Sequence, residues 1–470
     1  FFVSMSGLES RYKAANQEQV FRFAEKLSAS EREALNAQLE KIDVEAVTKN
    51  YAATVAAASG AASKVEPEPL AGVAQLKSVS DSDKAEWQRI GMELLSQGKV
   101  GFLILAGGQG TRLSSTQPKG CYDIGLPSKK SLFQLFCERL QRLQVLAGGA
   151  VIPFYIMTSP MTHKATEDYF AEHKFFGLDS KNVIFFQQGT LPCLDFEGKI
   201  MLESAGKVCE APDGNGGIYQ GLAKSGALDD MQRRGVTCVH VSAVDNALAR
   251  VADPVFIGYC TARKADCGAK VCPKARPTEA VGVLCKAPGS AGGACVVEYS
   301  ELDEKSAHAL DPATGELRLN AGNICNHFYT VPFLVKAATA QQPYHIAKKK
   351  IPCADPATGA TTPADKENGI KLEMFIFDVF PLAENFVALE VVRDEEFSPV
   401  KNAPGAVVDS PDTALRLLST AHRAHVIAAG GTLANDGLVE ISPLVSYGGE
   451  GLEEIVKGKT FTPPVEITGQ

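Results

Sequence analysis

No apolar run in this chain approaches the ~20 residues needed to cross a bilayer, and its first residues, Phe1 to Arg11, contain no cationic stretch leading into a long apolar core. Neither a membrane span nor a signal peptide is therefore expected. Positive charge is not in excess: 47 Lys and Arg stand against 55 Asp and Glu, a formal net charge of −8. A mildly acidic chain argues against broad nucleic-acid or membrane-surface binding, so any phosphate ligand must be met by a few placed basic groups. Close cysteine pairing is also missing. The 12 cysteines lie singly between Cys121 and Cys353, with no Cys-x-x-Cys and a closest spacing of Cys267 to Cys272. That pattern fits neither a zinc site nor a disulfide scaffold, and reads as reduced, partly buried thiols in a cytoplasmic protein. His422 and His425 share a helical face, yet nothing near them in sequence completes a metal site. They read as surface or internally satisfied histidines, and neither His240 nor His327 shows a local sign of acid–base work.

What is present is ordinary for a soluble globular protein: 45% hydrophobic and 22% charged residues. The length suggests roughly two or three domains. Leu8 to Val47 reads as helices, with Ser30-Glu31-Arg32-Glu33 as a capping-box start and Leu35, Leu39 and Ile42 at helical spacing. Ala52 to Gly72, rich in Ala, Ser and Pro, reads as a surface connection, and a helix is expected over Asp83 to Gln97. Then the pattern changes. Val100 to Leu105 is a short apolar run ended by glycines, and similar runs follow at Phe154 to Met157, Val183 to Phe186 and Cys238 to Val244. Between them lie helical segments such as Leu132 to Leu146 and Lys164 to His173. This alternation predicts an α/β, doubly wound, Rossmann-like core whose ligands sit beyond the carboxyl ends of the strands. Asp-Pro-Ala-Thr-Gly occurs at Asp311 and at Asp355 and reads as turn chemistry. From about Gly405 a helix over Thr413 to Ala429 precedes Gly-rich segments. Three segments are expected: a mainly helical region 1–98, a catalytic domain 99–404 and a small C-terminal domain 405–470.

The most informative stretch is Leu105-Ala-Gly-Gly-Gln-Gly-Thr-Arg-Leu113, followed by Pro118-Lys119-Gly120. Gly107, Gly108 and Gly110 let the backbone approach an anion and point N–H groups at it. Arg112 and Lys119 add full charge where a polyphosphate would lie. A dinucleotide loop would need a third glycine where Leu113 stands, and a P-loop would need Gly-Lys-Ser/Thr. A plain strand-to-helix turn remains as the bland alternative, which the coupled Arg112 and Pro118-Lys119 disfavour. Val244-Asp245-Asn246 ends an apolar strand, which brings the Asp245 carboxylate out at the ligand edge. Asp245 there could cap the next helix or, beside a phosphate loop, hold Mg²⁺.

Gly-Gly-x-Gly-Thr-Arg-Leu followed by Pro-Lys resembles the sugar-nucleotide pyrophosphorylases, and Pro118-Lys-Gly-Cys-Tyr-Asp-Ile-Gly-Leu-Pro-Ser128 resembles their eukaryotic UDP-N-acetylhexosamine branch. The likeness continues in order through Gln187-Gln-Gly-Thr-Leu-Pro-Cys193, Ala211-Pro-Asp-Gly-Asn-Gly-Gly217, Ala252-Asp-Pro254, Val297-Glu-Tyr-Ser-Glu301, Asn320-Ala-Gly-Asn-Ile-Cys-Asn-His327, Gly369-Ile-Lys371, Phe397-Ser-Pro-Val-Lys-Asn402 and Ile441-Ser-Pro-Leu-Val-Ser-Tyr447. UDP-glucose pyrophosphorylases resemble the chain less, because their glycine loop lacks the Thr-Arg-Leu at 111–113. Ser114, Ser242 and Ala243 depart from the family pattern, which touches pocket shape and removes no charge.

The resemblance implies a UTP-dependent nucleotidyltransferase that makes UDP-N-acetylglucosamine and diphosphate from UTP and N-acetylglucosamine 1-phosphate. It implies UTP contacts at Leu105, Ala106, Gly107, Gly108, Lys119 and Lys371, with Gly214 against uracil and Gln188 reading the base edge. It puts Asn215, Gly282, Glu298, Asn323 and Lys401 at the sugar phosphate, Asp245 on Mg²⁺, and Arg112, Lys119 and Lys401 at the reacting phosphates. Read without the resemblance, Glu298 is a solvated strand residue and each lysine a solvated charge. A preference for N-acetylgalactosamine or glucose 1-phosphate stays open, as does a non-catalytic regulatory protein on this fold; the retained charged set favours catalysis.

Overall fold

The run Val100–Leu105 is buried at all six positions in the computed structural model, which describes residues 5–59, 66–288 and 293–469. It lies inside a ten-stranded sheet. Its neighbours, Phe154–Thr158 on one side and Cys238–Ala243 on the other, run parallel to it, and Val183–Gln187 continues the parallel order. Cys267–Pro273 and Phe386–Glu390 form a second parallel pair. Ala321–Thr330 runs antiparallel between the two groups, paired with Cys238–Ala243 and with Cys267–Pro273. The α/β core with a mostly parallel sheet thus agrees with the alternation in the sequence.

Chain contacts divide the protein into two compact units. One comprises 66–187, 219–340 and 379–470, the other 1–65, 188–218 and 341–378. The first unit holds the sheet and the main core. Phe102 stacks on Phe154 and Phe136 at centroid distances of 5.4 and 6.1 Å, and the Leu132–Leu146 helix buries Phe133, Leu135, Phe136, Leu140 and Leu143. Two helices of this unit, Asp81–Ser96 and Pro254–Ala262, cross almost in backbone contact: a Cβ on Gly91 would stand 1.9 Å from the Pro254 carbonyl oxygen. The Pro411–Ala428 helix gives Ala414 and Leu418 to the main core, while Val426, Val439, Ile441, Leu452, Val456 and Ile467 form a small cluster of their own.

The second unit is assembled from remote pieces. Tyr12, Leu35, Leu39 and Val44 from N-terminal helices pack with Leu194, Ile200, Ile370 and Leu372 from short hairpins. Gln17 donates to the Gly198 carbonyl at 2.8 Å and accepts from the Ile200 N–H at 2.8 Å. The sequence boundaries at 98/99 and 404/405 are therefore not boundaries of either unit. An amphipathic helix advertises that it has a buried face, but not which distant hairpin covers it.

Local expectations differ in two places. The capping box of Ala29–Lys41 uses Ser28, not Ser30: Ser28 accepts from the Glu31 N–H and Glu31 returns the bond. The Val44–Ser59 helix runs through Ala52–Ser59, where Ala is the strongest helix former; residues 60–65 of that expected connection lie outside the described residues. Both Asp-Pro-Ala-Thr-Gly segments are turns, each closed by a glycine N–H onto the aspartate carbonyl at 2.8 Å, Gly315 to Asp311 and Gly359 to Asp355. Among the described residues no helix is long and apolar enough to cross a membrane.

Candidate active site

In the sheet unit, Leu105 and Ala243 end adjacent parallel strands in register. The glycine loop and the Val244–Asp245 turn therefore leave from the same edge, with the Val244 N–H donating to the Leu105 carbonyl at 3.2 Å. Leu105 and Ala106 are buried. Ser159 Oγ donates to the Gly107 carbonyl at 2.9 Å and fixes the start of the loop. The loop then folds back: the Gly110 N–H reaches the Gln117 carbonyl at 3.2 Å and the Lys119 N–H the Gly108 carbonyl at 3.3 Å. That return places Lys119 Nζ 3.1 Å from Asp245 Oδ2, with both side chains less than one-fifth exposed. Gly108 has open space where a Cβ would stand, so protein packing does not demand a glycine there. Arg112 is exposed and makes no ion pair among the described residues. Ser114 follows the Thr111–Leu113 turn at φ 55°, the left-handed region that glycine adopts freely, and nothing in the structure explains the serine there.

Lys401 is tied to the Asp245 turn through backbone. The Val400 N–H donates to the Asp245 carbonyl at 2.9 Å. Asn246 binds the same strap from its side chain, accepting from the Ser398 N–H at 2.9 Å and donating to the Glu396 carbonyl at 2.7 Å. Beneath it lies a buried charged group. Lys270, fully buried, meets Asp253 at 2.5 Å and also the Glu396 carboxylate. Breaking one side of such a cluster leaves an uncompensated charge, so it holds the strap firmly. His240 accepts the Asp253 N–H at Nδ1 (3.2 Å) and faces Asn326 Oδ1 with Nε2 at 2.6 Å. Burial, then the Lys270 charge, pushes this imidazole down to about 4.

Gly282, Glu298 and Asn323 come together in the same unit. The Asn323 N–H donates to the Gly282 carbonyl at 2.8 Å, and a Cβ on Gly282 would stand 2.7 Å from Glu298 Oε2. The pairing of Ala321–Thr330 shifts register at this point, where Cys325 bulges out at φ 53°. Behind Asn323 runs a buried relay: Tyr219 hydroxyl donates to Tyr329 at 3.0 Å, Tyr329 meets His327 Nδ1 at 3.1 Å, and His327 Nε2 meets Asn323 Oδ1 at 3.1 Å. Burial, then His240, pushes His327 down to about 3. The neutral ring therefore carries its proton on Nε2 and holds the Asn323 carbonyl. Asp245, Lys401 and Glu298 all act on the thiol of Cys325: desolvation first, then the Asp245 and Glu298 charges, push it up to about 12, and Lys401 works against them. The phosphate, metal and sugar candidates of this unit thus surround one strand bulge.

The other unit carries Gln188, Gly214, Asn215 and Lys371. Gln188, buried, donates to the Gly214 carbonyl at 3.0 Å. Gly214 sits at φ +90°, and a Cβ there would stand 2.3 Å from the Met374 carbonyl oxygen, so no other residue fits without moving the chain. Asn215 Oδ1 accepts from the Ile376 N–H at 2.9 Å, and Asp213 N–H and carbonyl are bonded to Gly189 and Met374. Lys371, half-buried, lies in the Gly369–Glu373 strand opposite Ala347.

Sequence reasoning missed Ser159, Lys270, Glu396, Tyr219 and Tyr329, whose work is done across long separations. For a divalent cation, the described residues contain no cluster of three or more His, Cys, Asp or Glu side chains. Asp245 is a single carboxylate beside the glycine loop. That donor set fits Mg²⁺, which keeps several waters and takes phosphate oxygens rather than a closed protein cage.

Comparison with known proteins finds relatives along nearly the whole chain. Residues 46–455 match the family described as UTP--glucose-1-phosphate uridylyltransferase. A human UDP-N-acetylhexosamine pyrophosphorylase-like protein 1 is 43% identical over 98% of this chain and 97% of its own length. The UDP-N-acetylglucosamine pyrophosphorylase of Saccharomyces cerevisiae is 42% identical over 97% of this chain and 98% of its own. Among solved structures, the uridine diphosphate N-acetylglucosamine pyrophosphorylase of Trypanosoma brucei, in complex with an inhibitor, superposes with a TM-score of 0.83 at 33% identity, covering 97% of this chain and 95% of that one. A UDP-glucose pyrophosphorylase from Leishmania major shares the fold at 19% identity and a TM-score of 0.62. With the glycine loop, the Asp245 turn and the Lys401 strap in place, the chain belongs to the UTP--glucose-1-phosphate uridylyltransferase family, among its UDP-N-acetylhexosamine pyrophosphorylases.

Proposed function

We propose that this chain joins UTP and N-acetylglucosamine 1-phosphate to give UDP-N-acetylglucosamine and diphosphate. The observation that supports it best is the grouping of Lys119, Asp245, Lys401, Glu298 and Asn323 about one bulge of one sheet. A phosphate oxygen of the sugar phosphate attacks the α-phosphorus of UTP. A new P–O bond forms and the bond to the bridging oxygen of the β-phosphate breaks, so that diphosphate leaves. The attacking phosphate is already ionised near neutral pH, so no general base is required. The obstacle is anion meeting anion, which placed cations overcome by positioning and by neutralising charge that develops.

In this reading Arg112 and Lys119 hold the β- and γ-phosphates and Lys401 steers the sugar phosphate. Lys371 supports the nucleotide phosphates, the Leu105–Gly108 backbone lines them, and Gln188 and Gly214 read uracil. Gly282 leaves room for the hexosamine, whose hydroxyls meet Glu298, Asn323 and Asn215. Asp245 would hold Mg²⁺, which would supply positive charge to the reacting phosphates. The twelve free thiols and the net acidic composition support a cytoplasmic setting without nucleic-acid partners.

The test is diphosphate release from UTP and Mg²⁺ with N-acetylglucosamine, N-acetylgalactosamine or glucose 1-phosphate offered separately. Fast release with the first supports the reading, and the ranking of the three fixes the sugar. No release with any of them, from folded protein that binds UTP, supports instead a regulatory protein that keeps the fold.

A further inference from the structure

Gln188 and Gly214 stand at one end of a two-stranded ribbon, and two cysteines stand at the other. Thr190–Pro192 pairs antiparallel with Glu210–Pro212, with Thr190 opposite Pro212, Leu191 opposite Ala211 and Pro192 opposite Glu210. The same register carries on in both directions. On one side the Asp213 N–H donates to the Gly189 carbonyl at 3.1 Å, and the Gln188 side chain then reaches the Gly214 carbonyl. On the other the Cys193 N–H donates to the Cys209 carbonyl at 2.8 Å. Cys193 and Cys209 are therefore the next rung after Pro192 and Glu210, directly opposite each other and on one face of the ribbon.

Opposite residues of an antiparallel pair have Cα atoms about 4.5–5.5 Å apart, within the ~4.4–6.8 Å that a disulfide spans. The two thiols already meet, one hydrogen-bonding to the other. Cys209 is the outer of the two, 8% exposed against 1%, and its sulfur also donates to the Pro352 carbonyl at 3.9 Å. The bond from Cys193 first, helped by the Lys371 and Lys207 charges and opposed by burial and Glu203, holds the Cys209 thiol below its ordinary value. That bond, then burial, pushes Cys193 up. The pair thus joins a thiol disposed to react first to a neighbour placed to resolve it. A second cross-strand pair, Cys285 opposite Cys295, is held otherwise: Cys295 donates to the Lys286 carbonyl at 3.6 Å, and burial first pushes both thiols up.

We propose that Cys193 and Cys209 are an oxidative modification site, converted to a disulfide by a hydroperoxide, and that this tie alters UTP binding at the other end of the ribbon. The link to UTP rests on the uracil-reading role given above to Gln188 and Gly214. With hydrogen peroxide, the Cys209 sulfur attacks one peroxide oxygen, the O–O bond breaks, and a sulfenic acid and water result. The Cys193 sulfur then attacks the Cys209 sulfur; the S–S bond forms, the S–O bond breaks, and the oxygen leaves as a second water with the Cys193 proton. Two electrons pass from the thiols to the peroxide, and a dithiol reductant returns them by exchange. A two-stranded ribbon twists strongly, so a covalent tie at one end resets how Gln188 meets Gly214. The full chain is treated with hydrogen peroxide, alkylated and mapped by peptide mass spectrometry, with UTP binding followed by calorimetry before and after. Cys193 is expected to be linked to Cys209 while Cys285 and Cys295 remain alkylated. UTP binding is expected to weaken by about fivefold or more, the low end of coupling between sites, and dithiothreitol to restore it. In Cys193→Ser, Cys209 should stop at the sulfenic acid, trapped by dimedone, with UTP affinity held. Cys193 and Cys209 left reduced in folded, treated protein would overturn the disulfide. So would linkage of either to Cys353, which packs against the same cluster, or linkage of Cys285 to Cys295 first. A disulfide with unchanged UTP affinity would overturn the coupling. Reduced protein that binds no UTP would fault the uracil reading instead, and the peptide map would still decide the disulfide.

Discussion

Replacing Asp245 by Asn separates two jobs that one carboxylate could be doing. Asp245 Oδ2 stands 3.1 Å from Lys119 Nζ, with the side chains 17% and 19% exposed. At that distance the attraction is about 1 kcal/mol in water and about 5 kcal/mol at an effective dielectric near 20; a pair less than one-fifth exposed falls between. If the carboxylate only orients Lys119, removing it costs at most that attraction, whereas Lys119→Met also loses the phosphate contact proposed for Lys119. A double variant is then no worse than Lys119→Met alone, because Asp245 acts only through that lysine. If Asp245 holds the cation, the outcomes diverge. Asp245→Asn should raise the Mg²⁺ concentration for half-maximal rate and lower turnover by roughly 10²-fold or more. Lys119→Met should lower turnover on a similar scale with the Mg²⁺ midpoint little changed, and the double variant should be worse than both. The assay is initial diphosphate release against Mg²⁺ at saturating UTP and sugar phosphate. An unchanged Mg²⁺ midpoint in Asp245→Asn, together with a double variant equal to Lys119→Met, would refute the metal role and leave Asp245 as a holder of Lys119.

Three further outcomes are expected. Gly214→Ala must place a methyl where the Met374 carbonyl lies 2.3 Å away, at φ +90°; KM for UTP should rise at least about tenfold with KM for the sugar phosphate little changed, and an unaltered UTP curve would remove Gly214 from base recognition. Gly282→Ala puts a methyl 2.7 Å from Glu298 Oε2; it should raise KM for the sugar phosphate and spare UTP binding measured by calorimetry, whereas equal loss for both ligands would mean general damage. His240, His327 and His422 are pushed down to about 4, 3 and 3, each first by burial. Their folded values lie below the ordinary ~6.5, so the stability tied to the neutral rings is present above pH 6.5 and is lost as pH falls through the window from 6.5 towards these values. Between pH 7 and 5.5 each ring contributes roughly 1.3 kcal/mol of that loss. The melting temperature should drop over this interval while their ring NMR signals stay in the neutral position. Signals that titrate near pH 6.5 would contradict the burial argument.

The elements that were legible from sequence are those whose signal is local. Val100–Leu105 and Leu132–Leu146 match their expected bounds because a buried parallel strand is a continuous apolar run and a core helix is a 3.6-residue stripe. Asp245 was legible as a carboxylate just past a strand end, and the glycine loop as a turn that leaves the sheet beside it. Glu298, Gly282 and Asn323 were reachable only through resemblance, since each taken alone is an ordinary strand or loop residue. Their meeting depends on an antiparallel strand and a bulge at Cys325 that no local pattern announces. Lys270 illustrates the same limit: a lysine in the apolar strand Cys267–Pro273 gives no hint that Asp253 and Glu396 wait for it. The Ser28 cap was displaced by two residues because Ser28 and Ser30 are chemically alike, and only backbone geometry distinguishes them.

The hairpin of Val283–Lys286 and Ala294–Val297 pairs with the main sheet at Val283 opposite Gly322 and is fastened further by the Asn323 N–H on the Gly282 carbonyl and the Lys286 N–H on the Glu68 carbonyl. Lys119, Asp245 and Lys401 are lashed together by the return of the glycine loop and the Asn246 strap. The proposed roles put sugar contact on the first group and phosphate contact on the second, held by different hydrogen bonds. An engineer seeking a new sugar nucleotide should therefore begin at Gly282 and Glu298 and leave 245–246 and 396–401 alone.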